Sequence, residues 1–374
     1  NYFHIYSIIQ NQINTIILGK IMTYRTLEEE IKVLELGLPP VEGDGFIGGR
    51  LDPEEASLVL IPVPWEATVS FGEGTAKAPD AIRSTSHQLD VETYHYIKPY
   101  TAGISMLETD KSLHKLSKKA RKKALKVIDA LENGETNQKA LDFVNEASAT
   151  LNSSVYEKAM EQINKGKFVG VVGGDHSSPL GLIKALNDTQ NESFGILHVD
   201  AHHDLREAYE GFTYSHASIF YNTMNECEKV SNLVQFGIRD YSSEESQRMI
   251  NYWQRGACLY DTDMQQQLAC GVSLENIFYP YINQLPQNVY LSIDIDGLEP
   301  LNCPNTGTPV PSGLRYGELE HLIFMIVKTG RRIIGFDLCE VGNSDDGWDA
   351  NVGSRVLYQL CGALLASQGK IPYK

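Results

Sequence analysis

Cysteine is scarce in this chain. Six are spread over 374 residues, at positions 227, 258, 270, 303, 339 and 361, and no two form a C-x-x-C pair. A disulfide framework is excluded on that count, and the expected compartment is the cytoplasm. No apolar run approaches the ~18 residues of a membrane span. Basic charge is in deficit, with 32 Lys and Arg against 48 Asp and Glu, a formal net charge of -16. A nucleic-acid backbone needs a basic surface, so such a partner is excluded, while a small cationic ligand suits the balance. Internal repeats and long linkers are missing too. Charged residues at 21% and hydrophobic residues at 42% carry none of the bias of a disordered chain. The length allows one large or two ordinary domains, and a core of that size needs no disulfide or structural metal.

The first residues lack what a signal peptide requires. There is no basic start, and Gln10, Asn11, Gln12 and Asn14 interrupt the apolar stretch. Residues 1–21 are expected to be a non-native or disordered leader, with one folded domain over 22–374. A helical pattern from Tyr24 to Leu36 then stops at Gly37 and Pro39.

Six short apolar runs read as strands: Leu58–Val63, Phe168–Val172, Phe194–Val199, Leu233–Ile238, Val289–Ile295 and Ile333–Leu338. Runs of this length without polar alternation suit strands covered on both faces. Helical patterns lie between them, at Ser112–Leu131, Ser154–Asn164, Leu180–Leu186, Tyr316–Val327 and Ser354–Ala366. The alternation predicts an α/β fold, a three-layer α/β/α sandwich around a mainly parallel sheet. Residues 111–126 carry eight Lys or Arg, which reads as the solvated face of an amphipathic helix.

Four polar clusters sit where apolar runs end, the edge at which parallel sheets bind ligands. They are Gly173-Gly174-Asp175-His176-Ser177, Asp200-Ala201-His202-His203-Asp204, Asp294-Ile295-Asp296-Gly297, and Glu340. Residues at i and i+2 of an extended segment point the same way. Asp200, His202 and Asp204 are therefore expected to face one centre, as are Asp294 and Asp296. Four carboxylates this close repel one another unless divalent cations compensate them. Six ligands exceed the usual three of an open zinc site, so carboxylates bridging two ions fit better. Carboxylate with imidazole suits Mn²⁺, with other first-row ions open.

These motifs resemble those of the ureohydrolases, the family of arginases and agmatinases. The chain reads GGDHS at 173–177, DAHHD at 200–204 and SIDIDGLEP at 292–300, and the resemblance runs from Leu58 to Leu365. It implies an arginase-like fold and two Mn²⁺ per subunit, with Ni²⁺ or another divalent ion as alternatives. His176, Asp200, Asp204 and Asp294 would hold one ion. Asp200, His202, Asp294 and Asp296 would hold the other. His216, Glu340 and Asp204 form the implied catalytic group, with His216 as proton shuttle and Glu340 gripping a guanidinium. Thr308, in the Thr306–Pro309 loop, joins Glu340 and His216 against the substrate. Pro64–Arg83 matches a substrate-side loop. His203 and Glu299 depart from the commoner motif residues. The implied reaction is hydrolysis of a small cationic guanidino compound to urea and an amine by a trimer or hexamer. Asp175 would orient His176 or simply cap the turn.

Substrate identity is read from the segment between Asp204 and His216. It is short, and it holds Glu207 and Glu210, which either favour an amine tail such as that of agmatine over the amino-acid end of arginine or are solvated loop charges. Guanidinobutyrate, formiminoglutamate and guanidine are the other candidates. Two rival classes are a zinc deacetylase of similar architecture and a non-catalytic family member. The full ligand set argues against the first, and intact His216 and Glu340 argue against the second.

Overall fold

The computed structural model describes residues 24–41, 43–251 and 255–374. The expected leader lies outside them. One eight-stranded sheet organises the chain. Its strands are β1 (Leu58–Pro62), β2 (Ile104–Met106), β3 (Phe168–Val172), β4 (Phe194–Val199), β5 (Val230–Ile238), β6 (Gly256–Tyr260), β7 (Asn288–Asp294) and β8 (Arg332–Cys339). Their order is β2-β1-β3-β8-β7-β4-β5-β6, and every neighbouring pair is parallel. The six predicted runs all become strands. The two edge strands β2 and β6 escaped, because one is three residues long and the other, Gly-Ala-Cys-Leu-Tyr, lacks a β-branched residue.

Parallel neighbours require crossover connections, and helices supply them. Ala78–Thr85 joins β1 to β2, and Lys111–Glu132 with Gln138–Asn164 joins β2 to β3. Leu180–Thr189, Ile219–Glu226 and Ser243–Asn251 follow in turn, then Asp261–Ala269 with Leu274–Ile282, and Tyr316–Lys328 before β8. Trp348–Ser367 closes the chain. The predicted helix Ser154–Asn164 is the second half of Gln138–Asn164. Small buried residues such as Ala140, Ala147 and Ser148 blur the apolar stripe of its first half. Alternate strand residues enter two apolar clusters, Leu291, Ile293, Phe336 and Leu338 in one and Val169, Val171, Ile196 and Tyr290 in the other. That division fits one helical layer on each face of the sheet.

The helix Lys111–Glu132 buries Leu113, Ala120, Ala124 and Val127, as the amphipathic pattern requires, and leaves most of its lysines in solvent. Arg121 is the exception. It is buried and donates to the carbonyl of Val69 and to Glu73, tying the helix to the Pro64–Arg83 loop. Among the described residues no helix is long and apolar enough to cross a membrane.

The strand order matters most at its centre. β3, β8, β7 and β4, the four strands that end in the polar clusters, are neighbours. Register aligns their ends. Val172 pairs with Leu338, Asp294 with Cys339, and Val199 with Ile293. One step further along, Gly173, Cys339, Asp294 and Asp200 lie in one row across the sheet. Gly174 locks the turn after β3 against the end of β1: its N–H donates to Val63, its carbonyl accepts from Glu340, and a Cβ there would lie 1.8 Å from the Trp65 carbonyl oxygen.

Gly174→Ala is therefore expected to cost about 1–3 kcal/mol or more. Gly317→Ala, in an exposed helical turn with nothing within 4 Å of its added methyl, should gain about 0.5–1 kcal/mol. Urea denaturation of both variants checks the contrast.

Candidate active site

A cavity of about 260 Å³ opens at the C-terminal ends of the central strands. His176, His202, Asp204, His216, Asp294, Asp296, Thr308 and Glu340 line it. Asp200 lies buried beneath them. All nine residues singled out from the sequence therefore gather at one place.

His176 comes from the turn after β3. Its Nδ1 lies 3.0 Å from Asp204 Oδ2, 3.2 Å from Asp200 Oδ2 and 3.3 Å from Asp294 Oδ2. Its other nitrogen, Nε2, lies 2.9 Å from Ser292 Oγ, and that hydroxyl donates to Asp337 Oδ2 at 2.8 Å. Ser292 has spent its proton on Asp337, so it accepts from His176 Nε2–H. Nδ1 thus turns toward three carboxylates at once. One N–H cannot serve three carboxylate oxygens, whereas a divalent cation at that point can. His202 repeats the pattern, with Nδ1 3.3 Å from Asp200 Oδ1 and 3.2 Å from Asp296 Oδ2. Asp200 thus turns one oxygen to each imidazole. Ligand atoms of His176, Asp200 and Asp204, and those of Asp200, His202 and Asp296, lie within 4.8 Å of one another.

The convergence is not achieved by extended backbone, as the sequence pattern suggested. Asp204 sits in the left-handed region at φ 54°, and so does Glu340 at φ 60°. Neither is a glycine, and such strain at two polar cavity residues marks a site the fold holds against local preference. Asp294 and Asp296 are brought together by a 3₁₀ turn, Ile295–Gly297, in which Asp296 N–H donates to Asp294 Oδ1 at 2.9 Å.

The charges are out of balance. Burial, with the charge of Asp200 beside it, pushes Asp204 up to about 7. Burial followed by the charges of Asp296 and Asp200 raises Asp294. Burial and Asp175 raise Glu340. Burial opposes charge on His176 and His202, but the surrounding carboxylates outweigh it and raise both. The lining holds one arginine, Arg206, which faces Glu245 at 3.5 Å. The donor set thus fits two divalent cations, which would relieve these shifts together.

Glu340 accepts from His176 N–H through Oε1 at 3.0 Å, while Oε2 is buried without a hydrogen-bond partner. Thr308 donates to Asp296 Oδ2 at 3.3 Å, and the loop that carries it is pinned by Gly72 N–H on the Gly307 carbonyl. His216 is half-buried. Its N–H donates to Thr68 Oγ1 at 3.3 Å, and the same hydroxyl lies 3.4 Å from its Nδ1. Burial, then the neighbouring imidazoles of His202 and His176, holds its pKa well below the usual histidine value.

Asp175 accepts from Ser177 N–H and Oγ–H. It caps the turn, and Ser292 with Asp337 orients His176 instead. Glu207 and Glu210 do not line the cavity. Glu207 faces Arg248 at 3.4 Å, and the mouth is formed by Tyr209, Asp240 and Tyr241. Nothing in a local motif points to those three. They meet only through the loops after β4 and β5.

The architecture and the site have counterparts among known proteins. A solved agmatine ureohydrolase of Thermoplasma volcanium superposes at a TM-score of 0.63 over 89% of this chain and 96% of its own, at 21% identity, a likeness of fold. The N(1)-aminopropylagmatine ureohydrolase of Thermus thermophilus is 28% identical over 309 residues, 83% of this chain and 90% of that protein. The agmatinase of Bacillus anthracis is 30% identical over 307 residues, 80% of this chain and 88% of its own. The family model described as the arginase family matches residues 56–362, which include every residue of the cavity, and the chain belongs to that family.

Proposed function

We propose that the chain is a dinuclear-metal ureohydrolase that cleaves agmatine to urea and putrescine. The observation that carries this is the pair of imidazole Nδ1 atoms, each facing carboxylates that outnumber any proton it holds. His176, Asp200, Asp204 and Asp294 would hold one ion, and Asp200, His202, Asp294 and Asp296 the other. Mn²⁺ matches this mix of oxygen and imidazole donors. When bound, the ions neutralise the carboxylates and activate water for attack near neutral pH.

The chain's own groups supply the rest. The unpartnered Glu340 Oε2 suits a guanidinium N–H, in a charge-assisted hydrogen bond. It sets the guanidinium carbon beside the carboxylate cluster. Water adds to that carbon, and the bond to the alkyl nitrogen then breaks. The leaving nitrogen needs a proton, and His216 stands at the cavity wall to deliver it. The depressed pKa of His216 keeps it neutral at rest, so it can take the proton that the adding water loses and give it up readily to the leaving nitrogen. The Thr68 contact at Nδ1 holds the ring in place.

The mouth favours a cationic tail. Asp240 is a carboxylate on its rim, and Arg206, its sole basic residue, is engaged with Glu245 and the Tyr209 ring. A substrate with a terminal carboxylate, such as arginine, finds no free cation there. An aminopropyl-extended agmatine is the second reading. It is the substrate in the name of the Thermus thermophilus relative, and it carries a second ammonium that the same acidic lining, with Asp240, would suit.

Urea release from agmatine, aminopropylagmatine, arginine, guanidinobutyrate and guanidine, with metal analysis on the same sample, tests the reading. About two ions per chain and preference for one of the first two are expected. Asp294→Ala should lose metal and urea release together, and full turnover in a metal-depleted Asp294→Ala enzyme would sink the dinuclear mechanism.

His216→Ala should retain metal and lower kcat by roughly 10²–10⁴-fold. Unchanged kinetics across roughly pH 6–9 would remove the proton-transfer role.

The metal-free protein should lose stability as pH rises. A buried acid whose folded pKa is raised binds more protons in the native state than in the unfolded one. For Asp204 the loss begins near the unfolded value of about 4 and is complete above about 7. Asp294 and Glu340 shift in the same direction. The gap in melting temperature between manganese-loaded and metal-free protein is expected to widen from pH 5 to pH 7.5. Equal gaps at both would contradict the charge argument.

A further inference from the structure

The hydrogen bonds around Asp200 continue away from the cavity into buried side chains that the proposed chemistry does not use. We propose that Gln235 and His203 are positioning residues that lock His198 as a hydrogen-bond donor to Asp200, holding that carboxylate correctly turned between the two cation positions. This rests on the dinuclear reading above.

The direction of every bond follows from one carbonyl. The Gln235 side-chain nitrogen lies 2.9 Å from the main-chain oxygen of His203, which can only accept. The amide is thereby oriented, and Oε1 faces His203 Nδ1 at 2.6 Å. His203 therefore carries its proton on Nδ1. The second proton of the Gln235 amide meets His198 Nδ1 at 2.8 Å, so that nitrogen offers its lone pair. The proton of His198 is then on Nε2, 2.8 Å from Asp200 Oδ2. At the far end, His203 Nε2 is left to accept from the Tyr260 hydroxyl at 3.4 Å. A flipped amide would set oxygen against oxygen at His203 and leave a buried ring N–H facing another donor. Gln235, His198 and His203 are all fully buried, so water cannot rescue the wrong arrangement.

The sheet itself builds this chain. His198 on β4 is the register partner of Gln235 on β5 and of Ser292 on β7, and Ser292 is the partner of Asp337 on β8. A polar row thus crosses four strands beneath the cavity. One end orients His176 through Ser292. The other orients Asp200 through His198. Asp200 Oδ1 accepts from His202 N–H at 2.6 Å, so both of its oxygens are held from the protein side.

His198 is consequently no metal ligand. Its ring lies within ligand distance of His176, Asp200 and Asp204, but one nitrogen is protonated and the other is occupied by Gln235. His203, the departure within the DAHHD motif, acts three hydrogen bonds away from the carboxylate it serves.

Two measurements test this. In the wild-type protein, ¹⁵N-labelled imidazole spectra should show His198 protonated at Nε2 and His203 at Nδ1. The opposite tautomer at His198 would overturn the proposal whether or not metal is bound. Manganese affinity, read by chelator competition, should fall roughly 10–100-fold in Gln235→Leu and His203→Leu. His203→Asn, whose side-chain amide can still donate to Gln235, should stay within about threefold of wild type. Leucine variants that bind Mn²⁺ as the wild type does, or an asparagine variant that falls as far as leucine, would overturn it. Wild-type protein that binds no manganese would instead overturn the dinuclear reading, with the tautomers still deciding the hydrogen-bond chain.

Discussion

Buried negative charge at one sheet edge is the constraint on which the rest of the structure depends. Asp200, Asp204, Asp294, Asp296 and Glu340 meet in a small volume, each nearly or wholly out of solvent. Ionised and unpaired, such a group would cost more than a fold of ordinary stability can offset. Among the described residues no lysine lines the cavity to neutralise it. Without metal the site borrows protons, on His176 and His202 and on the carboxyls themselves. Divalent cations would balance this charge, and protons are the weaker substitute.

Holding that cluster requires close packing beneath it. Four neighbouring strands end in one row and carry the polar clusters there. Gly174 lets the β3 turn lie directly on the Trp65 backbone. Asp204 and Glu340 accept left-handed backbone conformations that an unconstrained residue would leave. These local costs are tolerated because the two apolar layers on either face of the sheet fix the strand ends in space. Precision at the edge is thus a product of burial elsewhere.

Much of this was legible in the sequence, for a physical reason. Fully buried parallel strands are short, apolar and sharply ended, so β3 and β4 could be bounded to the residue, and the polar clusters that follow them stand out. The edge strands Ile104–Met106 and Gly256–Tyr260 were not legible, since a short or weakly β-forming segment draws its conformation from its neighbour. Nor were the residues that act across strands. Ser292, Asp337, His198 and Gln235 occur singly inside apolar runs, where each reads as an ordinary strand position. Only register shows that they form one row. The mouth was not legible for a related reason. Glu207 and Glu210 were close to the ligands in sequence, but the carboxylate on the rim, Asp240, comes from a different strand's loop.

The row beneath the cavity shows why distance alone is a poor guide to a metal site. His176, in the turn after β3, and His198, on β4, have ring centroids 5.2 Å apart, and both approach Asp200 Oδ2. By distance they are equivalent. They differ in where their outer nitrogen is anchored. His176 donates its Nε2–H to Ser292, which leaves Nδ1, among the carboxylates, as the nitrogen that can face a cation. His198 receives a proton from Gln235 at Nδ1, which forces its Nε2 to be a donor. Two identical side chains against one carboxylate oxygen are therefore anchored in opposite senses, one with a nitrogen left for a cation and one as a clamp. The choice is made by a serine and a glutamine one layer further in. A substitution there need touch neither substrate nor metal to alter the site, because it would change which way a proton points.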